Sequence, residues 1–285
     1  MLIINLYKSV KERGKMKGLL IFLKGLVIGI SMLVPGVSGG TMAIIFGIYD
    51  DLIRAVSRFF DDWKRNFKLL FYLALGGIVG VLLFSKIIEN LLNKSPIIMG
   101  FLFIGIVCGG IPTLYIKAKE KNSKKSDIIY LIIGLIIAIV LSRDPEALSV
   151  MASAGDIKGI FLLLIAGIVI SIALILPGIS TSFMLLMLGL YSITLNAINT
   201  LNIKFLMPIL IGILIGTIVT SKILEYLLNK YPSRTYMLIL GFVIGSIIPI
   251  YPGTPNGINI LYTIIAFVCG FAIIYYIGKS NKITN

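Results

Sequence analysis

The stretch Val34-Pro35-Gly36-Val37-Ser38-Gly39-Gly40-Thr41 interrupts a long apolar run with a proline, three glycines and two hydroxyl side chains. No charged residue occurs between Lys24 and Asp50, so this stretch differs from an ordinary solvated loop. Proline blocks helix continuation, and glycine permits backbone conformations that are closed to other residues. Because an unpaired backbone amide costs several kcal/mol in lipid, we expect this break to be buried in protein or to line a cavity.

A second break of the same kind is Leu176-Pro177-Gly178-Ile179-Ser180-Thr181-Ser182, and no charge occurs from Gly159 to Ile203. Paired breaks in apolar sequence, one in each half of a chain, indicate the binding site of a membrane transporter.

The composition is that of a polytopic membrane protein. Of the 285 residues, 58% are hydrophobic and only 13% are charged, and the mean hydropathy is +1.03; soluble domains carry about twice that fraction of charge. The formal net charge of +14 does not indicate nucleic-acid binding, because the basic residues lie in short loops between apolar runs.

The residue types argue against an enzyme. The chain has no histidine, which excludes Ser-His-Asp and Cys-His catalysis and histidine-ligated metals. Its two cysteines, Cys108 and Cys269, both lie in apolar segments without metal-ligand spacing. We therefore predict no catalytic residue, no metal and no cofactor.

Ten apolar segments can be drawn, at 18–34, 40–59, 67–92, 97–117, 127–142, 160–176, 181–200, 205–229, 234–252 and 258–278. They predict a basic cytoplasmic arm (1–17), a first membrane repeat (18–142), an external connector (143–158), a second membrane repeat (159–278) and a cytoplasmic tail (279–285).

The two halves repeat each other. A shift of 142 residues carries Pro35 onto Pro177, and a shift of 136 carries the block 85–94 onto 221–230, each block followed by a proline two residues on. Five segments per repeat is an odd number, so the second repeat enters the membrane upside down. We predict an all-α integral membrane protein of two inverted-topology repeats of about five segments each, with paired broken or re-entrant helical hairpins.

The positive-inside rule orients this arrangement. With both termini in the cytoplasm of a cell-membrane protein, 19 of the 26 basic residues lie on the cytoplasmic side, in 1–17, 54–68, 117–127, 230–234 and 279–285, and four lie outside. Charge alone does not decide whether the first two segments of each repeat span the membrane or form a re-entrant hairpin; the uncharged breaks and short segments favour re-entrant hairpins.

The segments after the two breaks begin with amides that have no partner within the helix. A helix N-terminus attracts anions, phosphate especially, and hydroxyl groups add donors. The predicted substrate-binding residues are Ser38, Gly39, Gly40, Thr41, Ser180, Thr181 and Ser182. The alternative is that serine and threonine only cap helices while glycine permits close packing.

Three basic residues lie near the first break along the chain. Lys24, Arg54 and Arg58 are added as candidate phosphate ligands, with interfacial snorkelling or anchoring as the alternative. Lys86 and Glu89, repeated as Lys222 and Glu225, are three residues apart and are expected to form structural ion pairs, with a proton relay as the alternative.

Pro-Gly-Val-Ser-Gly-Gly-Thr at 35–41, Gly-x-Tyr at 47–49 and Pro-Gly-Ile-Ser at 177–180 resemble the motifs of the bacterial and archaeal polyprenyl-phosphate transporter family, formerly catalogued as a domain of unknown function. Thr181 departs from the glycine expected after the second motif. The resemblance implies return of undecaprenyl phosphate, or a related polyprenyl phosphate, from the outer to the cytoplasmic leaflet for reuse in cell-envelope synthesis.

Three other functions remain open at this point: secondary transport of a small anion, which needs similar pocket chemistry, an enzyme acting on lipid phosphates, and a scaffold. A homo-oligomer is compatible with the sequence.

Overall fold

The computed structural model describes residues 18–33, 37–119, 123–141, 157–179, 181, 184–185, 188–190, 193–194, 196–197 and 200–283. This part of the chain is helical and contains no strand. Its helices are α1 (Gly18–Met32), α2 (Gly39–Ile45), α3 (Tyr49–Ser57), α4 (Trp63–Lys94), α5 (Pro96–Lys119), α6 (Ile128–Leu141), α7 (Ile157–Ile175), α8 (Ile203–Lys230), α9 (Pro232–Gly245), α10 (Ile247–Ile250) and α11 (Asn259–Ile283).

Five helical stretches in the described residues are long and apolar enough to cross a membrane: Trp63–Lys94, Pro96–Lys119, Ile203–Lys230, Pro232–Ile250 and Asn259–Ser280. Large apolar side chains cover their outer faces; Leu82 is 71% exposed and Leu214 is 65% exposed. Such a surface is stable only against hydrocarbon. The prediction of an all-helical, multi-pass membrane protein is confirmed in this form.

Two sharp reversals join the long helices. Ser95 alone separates α4 from α5, and Tyr231 alone separates α8 from α9. In both cases proline is the first residue of the following helix, where its fixed φ fits and its missing N–H leaves no hydrogen bond unmade. Each pair is therefore joined by a tight turn, beyond which the two helices pack mainly on other helices.

Glycines allow α1 to cross α4 with their backbones in contact, and α7 to cross α8 in the same way. A Cβ on Gly25 would overlap the carbonyl oxygen of Leu73, and one on Gly76 would overlap that of Phe22. The same two contacts recur as Gly167 against Ile209 and Gly212 against Leu164. Small residues four apart permit this approach between membrane helices.

Further glycine contacts pair helices of different halves. Helix α5 packs on α11 through Gly105 and the carbonyl of Phe267, and α9 packs on α6 through Gly241 and the carbonyl of Leu131. These two contacts differ by the same shift of 136 residues as the sequence blocks. Each half thus completes its packing with a helix from the other half.

The segment predicted at 40–59 is two short helices rather than one. Gly47, with φ of 68°, separates α2 from α3, and Gly189 adopts φ of 66° at the equivalent place. This left-handed conformation is accessible to glycine at little cost, and it ends a helix. The apolar pattern continues through Gly47, so hydropathy alone gave no sign of the turn.

Helix α2 and one face of α3 are deeply buried. Ile44, Ile45, Tyr49 and Ile53 are each no more than 1% exposed, and they pack among side chains of α5, α9 and α11. The segment that follows the first break therefore forms part of the core.

Candidate functional site

The first break reverses the chain, and α2 returns alongside α1. Gly39 lies against the side chains of Ile28 and Met32, and the Lys24 Nζ donates a hydrogen bond of 2.7 Å to the carbonyl of Phe46. The start of α2 thus lies beside the end of α1, and the end of α2 lies beside an earlier residue of α1, so the two helices run antiparallel. The segments on either side of the break thus form a helical hairpin, called hairpin 1 below (residues 18–57).

The turn of hairpin 1 lies within the length of α4. Gly80 of α4 contacts the backbone of Leu26 and Ile30, close to the end of α1. From Gly80, α4 continues to Lys94, which at 1.5 Å per residue is about 21 Å. In the second half, α8 extends equally far beyond Gly216, which contacts Ile168 and Ser171 in the second half of α7.

The two breaks meet inside the protein. A Cβ on Gly40 would lie 3.2 Å from Cγ and 3.3 Å from Cα of Pro177. The Tyr49 hydroxyl donates a 2.9 Å hydrogen bond to the carbonyl of Ile175, at the end of α7. Tyr49 is 1% exposed, so this bond ties the first hairpin to the second break away from bulk water.

The second break is fitted against α9. Gly178 has φ of 84° and lies so close to the backbone of Phe242 and Val243 that any side chain would collide with it. Pro177, Gly178 and Ile179 are all buried. The break is therefore held between hairpin 1 on one side and α9 on the other.

The predicted binding residues of the first break lie together. The Ser38 hydroxyl oxygen accepts a hydrogen bond of 3.2 Å from the Gly40 amide, and so caps α2. A hydroxyl that accepts one bond still has its own hydrogen to donate. Gly39 and Gly40 are half-buried and Thr41 is buried. Helix capping and ligand binding are thus compatible at Ser38.

Of the residues predicted in the second break, Thr181 is half-buried and helical. Ser180 and Ser182 lie outside the described residues. Lys24 is not brought to the first break: its ammonium group binds the Phe46 carbonyl at the C-terminal end of α2, seven residues long, whereas Ser38 caps the other end.

Arg58 lies at the end of α3 beside the last turns of α8. Its Nε is 2.7 Å from Oε1 of Glu225, and the Ser57 hydroxyl donates a 2.6 Å hydrogen bond to Oε2 of the same carboxylate. The expected pair between Lys222 and Glu225 is therefore wrong: within the described residues, Glu225 pairs with Arg58 instead. The carboxylate is held by tertiary contact, which the spacing along α8 did not reveal.

A second polar cluster joins α3 to α5 and α9. The Tyr236 hydroxyl donates a 2.6 Å hydrogen bond to Oδ1 of Asp50, and the Lys117 Nζ lies 3.2 Å from Oδ2. Lys117 also donates a 3.3 Å hydrogen bond to the Tyr236 oxygen. We call Asp50, Lys117 and Tyr236 the Asp50 cluster.

A cavity of about 200 Å³ adjoins the Asp50 cluster, and Arg54 and Glu225 contribute to its wall. In the described part of the chain, the Arg54 guanidinium group has no ion-pair partner. Sequence reasoning missed Lys117 and Tyr236, which are far from both breaks along the chain. The sequence feature that could have indicated them is their partner Asp50, an acidic residue directly after Tyr49 of the first motif.

The polar clusters lie at one end of the helix bundle. Asp127, before α6, accepts a 2.8 Å hydrogen bond from the Ser233 hydroxyl and lies 3.4 Å from Nε of Arg234. The backbone amide of Lys124 donates to the same carboxylate, and this bond, helped by Ser233 and Arg234, holds the pKa of Asp127 below its usual value despite burial. The ends of α3, α5 and α8 and the starts of α6 and α9 thus share one side.

No group of three or more His, Cys, Asp or Glu residues that would hold a metal occurs among the residues that the structure describes.

Comparison with known proteins places these features in a family. A family model described as undecaprenyl phosphate translocase-like matches residues 28–260. A protein of Staphylococcus aureus named polyprenyl-phosphate transporter is 34% identical over 273 residues, which cover 90% of this chain and 95% of that protein. A Vibrio cholerae protein of the same name is 34% identical over 251 residues, 81% of this chain and 77% of its own.

No solved structure matches the chain significantly. The family and both relatives are transporters by name, which confirms the prediction that the chain is not an enzyme. The resemblance seen in the two break motifs is confirmed over most of the chain: the protein belongs to the undecaprenyl phosphate translocase-like family.

Proposed function

We propose that the protein carries a polyprenyl phosphate, such as undecaprenyl phosphate, from the outer to the cytoplasmic leaflet of the cell membrane, and so returns the lipid carrier to cell-envelope synthesis. The observation that carries this proposal is the contact between the two breaks, Gly40 against Pro177, within the length of α4. The relatives named polyprenyl-phosphate transporter support the choice of substrate.

The headgroup is the obstacle to transport, because the prenyl tail need never leave the hydrocarbon. A charged phosphate that crosses the bilayer core loses its water at a steep cost in free energy. Backbone amides and hydroxyls of two adjoining breaks replace that water with oriented donors. The proposed ligands are Ser38, Gly39, Gly40 and Thr41 of the first break with Ser180, Thr181 and Ser182 of the second.

The proposed mechanism requires two inverted repeats, one presenting the site to each leaflet. Helices α5 and α9 are equivalent in the two repeats, and their antiparallel course supports this. Lys117 near the end of α5 contacts Tyr236 near the start of α9. Gly100 near the start of α5 lies against Pro252 beyond the end of α9. The recurring glycine contacts support the duplication itself. Both breaks come from one chain, so the scheme needs no second copy.

Re-entrant hairpins and cytoplasmic termini form part of the same proposal. The turn of hairpin 1 beside Gly80, well short of the end of α4, supports a hairpin that enters and leaves on one side. The basic stretches 54–68, 117–127 and 230–234 share one end of the bundle, which supports a cytoplasmic assignment for that end. Arg54 and Arg58 would receive the phosphate there; Lys24 would act indirectly, by holding α2.

The rival function is secondary transport of a small anion, which the polar cavity beside Arg54 favours. Reconstitution in liposomes separates the two. We expect the purified protein to move a labelled polyprenyl phosphate between leaflets, and to leave the corresponding uncharged prenol at its spontaneous rate. Liposomes that accumulate inorganic phosphate while the labelled lipid stays in place would favour the rival.

A further inference from the structure

The Asp50 carboxylate is bound by two donor groups that would suit a larger anion equally well. Its two oxygens accept a hydrogen bond of 2.6 Å from the Tyr236 hydroxyl and one of 3.2 Å from the Lys117 ammonium group. The Lys117 ammonium also lies 5.3 Å from the centre of the Tyr236 ring. Both donors come from other helices, α9 and α5, and converge on this one carboxylate.

The wall of the adjoining cavity carries a further cationic donor besides the two groups that bind Asp50. Arg54, one helical turn after Asp50, contributes to the wall of the cavity of about 200 Å³ and has no ion-pair partner among the described residues. The other carboxylate of the wall, Glu225, is already paired with Arg58 and Ser57. Two cations, Arg54 and Lys117, therefore face a single singly charged carboxylate.

We propose that Arg54, Lys117 and Tyr236 form a binding site for a phosphate monoester headgroup, and that the Asp50 carboxylate occupies this site until the headgroup displaces it. A phosphate carries roughly 1.5 to 2 negative charges at neutral pH and offers three acceptor oxygens. It can therefore satisfy the Arg54 guanidinium group together with both donors now on Asp50. This inference rests on the proposed function, and it adds to it a second station for the same headgroup.

The site is coupled to the breaks through one residue. Tyr49 precedes Asp50 directly, and its hydroxyl binds the carbonyl of Ile175 at the second break. When Asp50 is displaced, α3 loses its polar attachment to α5 and α9, whereas Tyr49 still attaches it to the second break. Arrival of a headgroup at this end thus alters the contacts of the helix that carries Tyr49.

The site has no counterpart at the other end of the protein. The repeat shifts carry Lys117 and Tyr236 onto Gly253 and Gly100, and Arg54 onto Asn196. No cation and no phenol occupies these equivalent positions. The proposed station therefore belongs to one leaflet only, the one on the side of the basic loops.

Binding to the purified full-length protein in detergent tests the site, with radiolabelled farnesyl phosphate as the probe. Farnesol serves as the uncharged analogue and inorganic phosphate as the competitor. We expect Lys117→Met and Tyr236→Phe each to raise the Kd about tenfold or more, since each removes a hydrogen bond to a charged group. The matched controls are Lys119→Met and Tyr115→Phe. These two residues also lie on α5, where the Lys119 ammonium group lies over the Tyr115 ring.

Asp50→Ala gives the sharper test because the expected change has the opposite sign. Removal of an internal competitor raises the fraction of protein ready to bind, so the apparent Kd for farnesyl phosphate should fall several-fold. Asp51→Ala removes the same charge from the exposed neighbouring position and should change the Kd much less. Size-exclusion profiles identify folded variants, and Lys117→Gln replaces Lys117→Met if the latter fails to fold.

Several results would overturn the proposal. An Asp50→Ala variant that binds more weakly, or no better than Asp51→Ala, shows that Asp50 occupies no anion site. Binding of radiolabelled inorganic phosphate without any binding of farnesyl phosphate assigns the cavity to a free anion instead of the lipid. If the wild type moves polyprenyl phosphate in liposomes while Lys117→Met matches Lys119→Met in binding, this inference fails and the proposed function stands. A wild type that binds farnesyl phosphate but moves no lipid refutes the proposed function alone.

Discussion

A single methyl group at Gly40 tests whether the contact between the two breaks matters for transport. A Cβ there would lie 3.2, 3.3 and 3.4 Å from Cγ, Cα and N of Pro177. Two of these are backbone atoms of a buried break, which cannot rotate away as a side chain can. Gly40→Ala must therefore push the breaks apart by a few tenths of an ångström.

The neighbouring glycine provides the control. A Cβ on Gly39 would lie 3.3 Å from Sδ of Met32, an exposed and flexible side chain, and 3.4 Å from Cγ2 of Ile28, an ordinary van der Waals distance. Overpacking at a rigid contact costs about 1–3 kcal/mol, whereas methionine adjusts to a new neighbour readily. If this free energy adds to the barrier for transport, Gly40→Ala slows transport roughly 5- to 150-fold. Gly39→Ala slows it far less.

The assay is the liposome exchange of labelled polyprenyl phosphate, with variants matched for reconstituted amount and thermal midpoint. Equal rates for Gly40→Ala and Gly39→Ala would refute the argument, because the contact between the breaks would then be packing without a role in transport. A larger substitution, Gly40→Val, should abolish exchange in a protein that still inserts.

Three further predictions concern orientation and the polar clusters. In a background without the two native cysteines, cysteines placed at Lys121 and Lys204 should react with impermeant reagents from opposite sides of the membrane; labelling from one side contradicts the inverted arrangement. Arg58→Leu should lower the thermal midpoint, because it leaves the largely buried Glu225 carboxylate without its ion-pair partner. Lys222→Leu should not, because Lys222 makes no ion pair in the described residues. Asp127 has a lowered pKa, so its contribution to stability is present above the pKa of the unfolded chain and is lost as pH falls through the folded value. Asp127→Asn should therefore destabilise the protein at neutral pH, with little difference from wild type in acid.

Local sequence was enough to predict the approximate positions of the long helices. Hydropathy located the long helices. Pro96 and Pro232 were used only as signs of the internal repeat, although each is the first residue of a helix, a position where proline is common. The turn at Gly47 was missed, although the match of Gly47 to Gly189 was visible. A glycine within an apolar run reads equally well as a packing residue.

The polar contacts of the site depend on tertiary structure, and sequence did not reveal them. Glu225 lies one turn from Lys222 along α8, yet pairs with Arg58, far away along the chain. Lys117 was counted only as a marker of orientation, although it binds Asp50. Charge counting treats such residues as a solvated layer, and only the packing of α3 against α5, α8 and α9 gives them specific partners.

The exchange of helices between the halves has a consequence for biogenesis. Helix α6 packs on α9, and α5 packs on α11, so neither early helix has its partner when it leaves the ribosome. About 100 residues separate α6 from α9, and at 5–20 residues per second their synthesis takes on the order of 10 s. During that interval, the glycine grooves of the first half are exposed to lipid or to the insertion machinery. The first half is thus an obligatory intermediate that the second half completes, and a nascent chain stopped after α6 has two unfilled helix-packing surfaces.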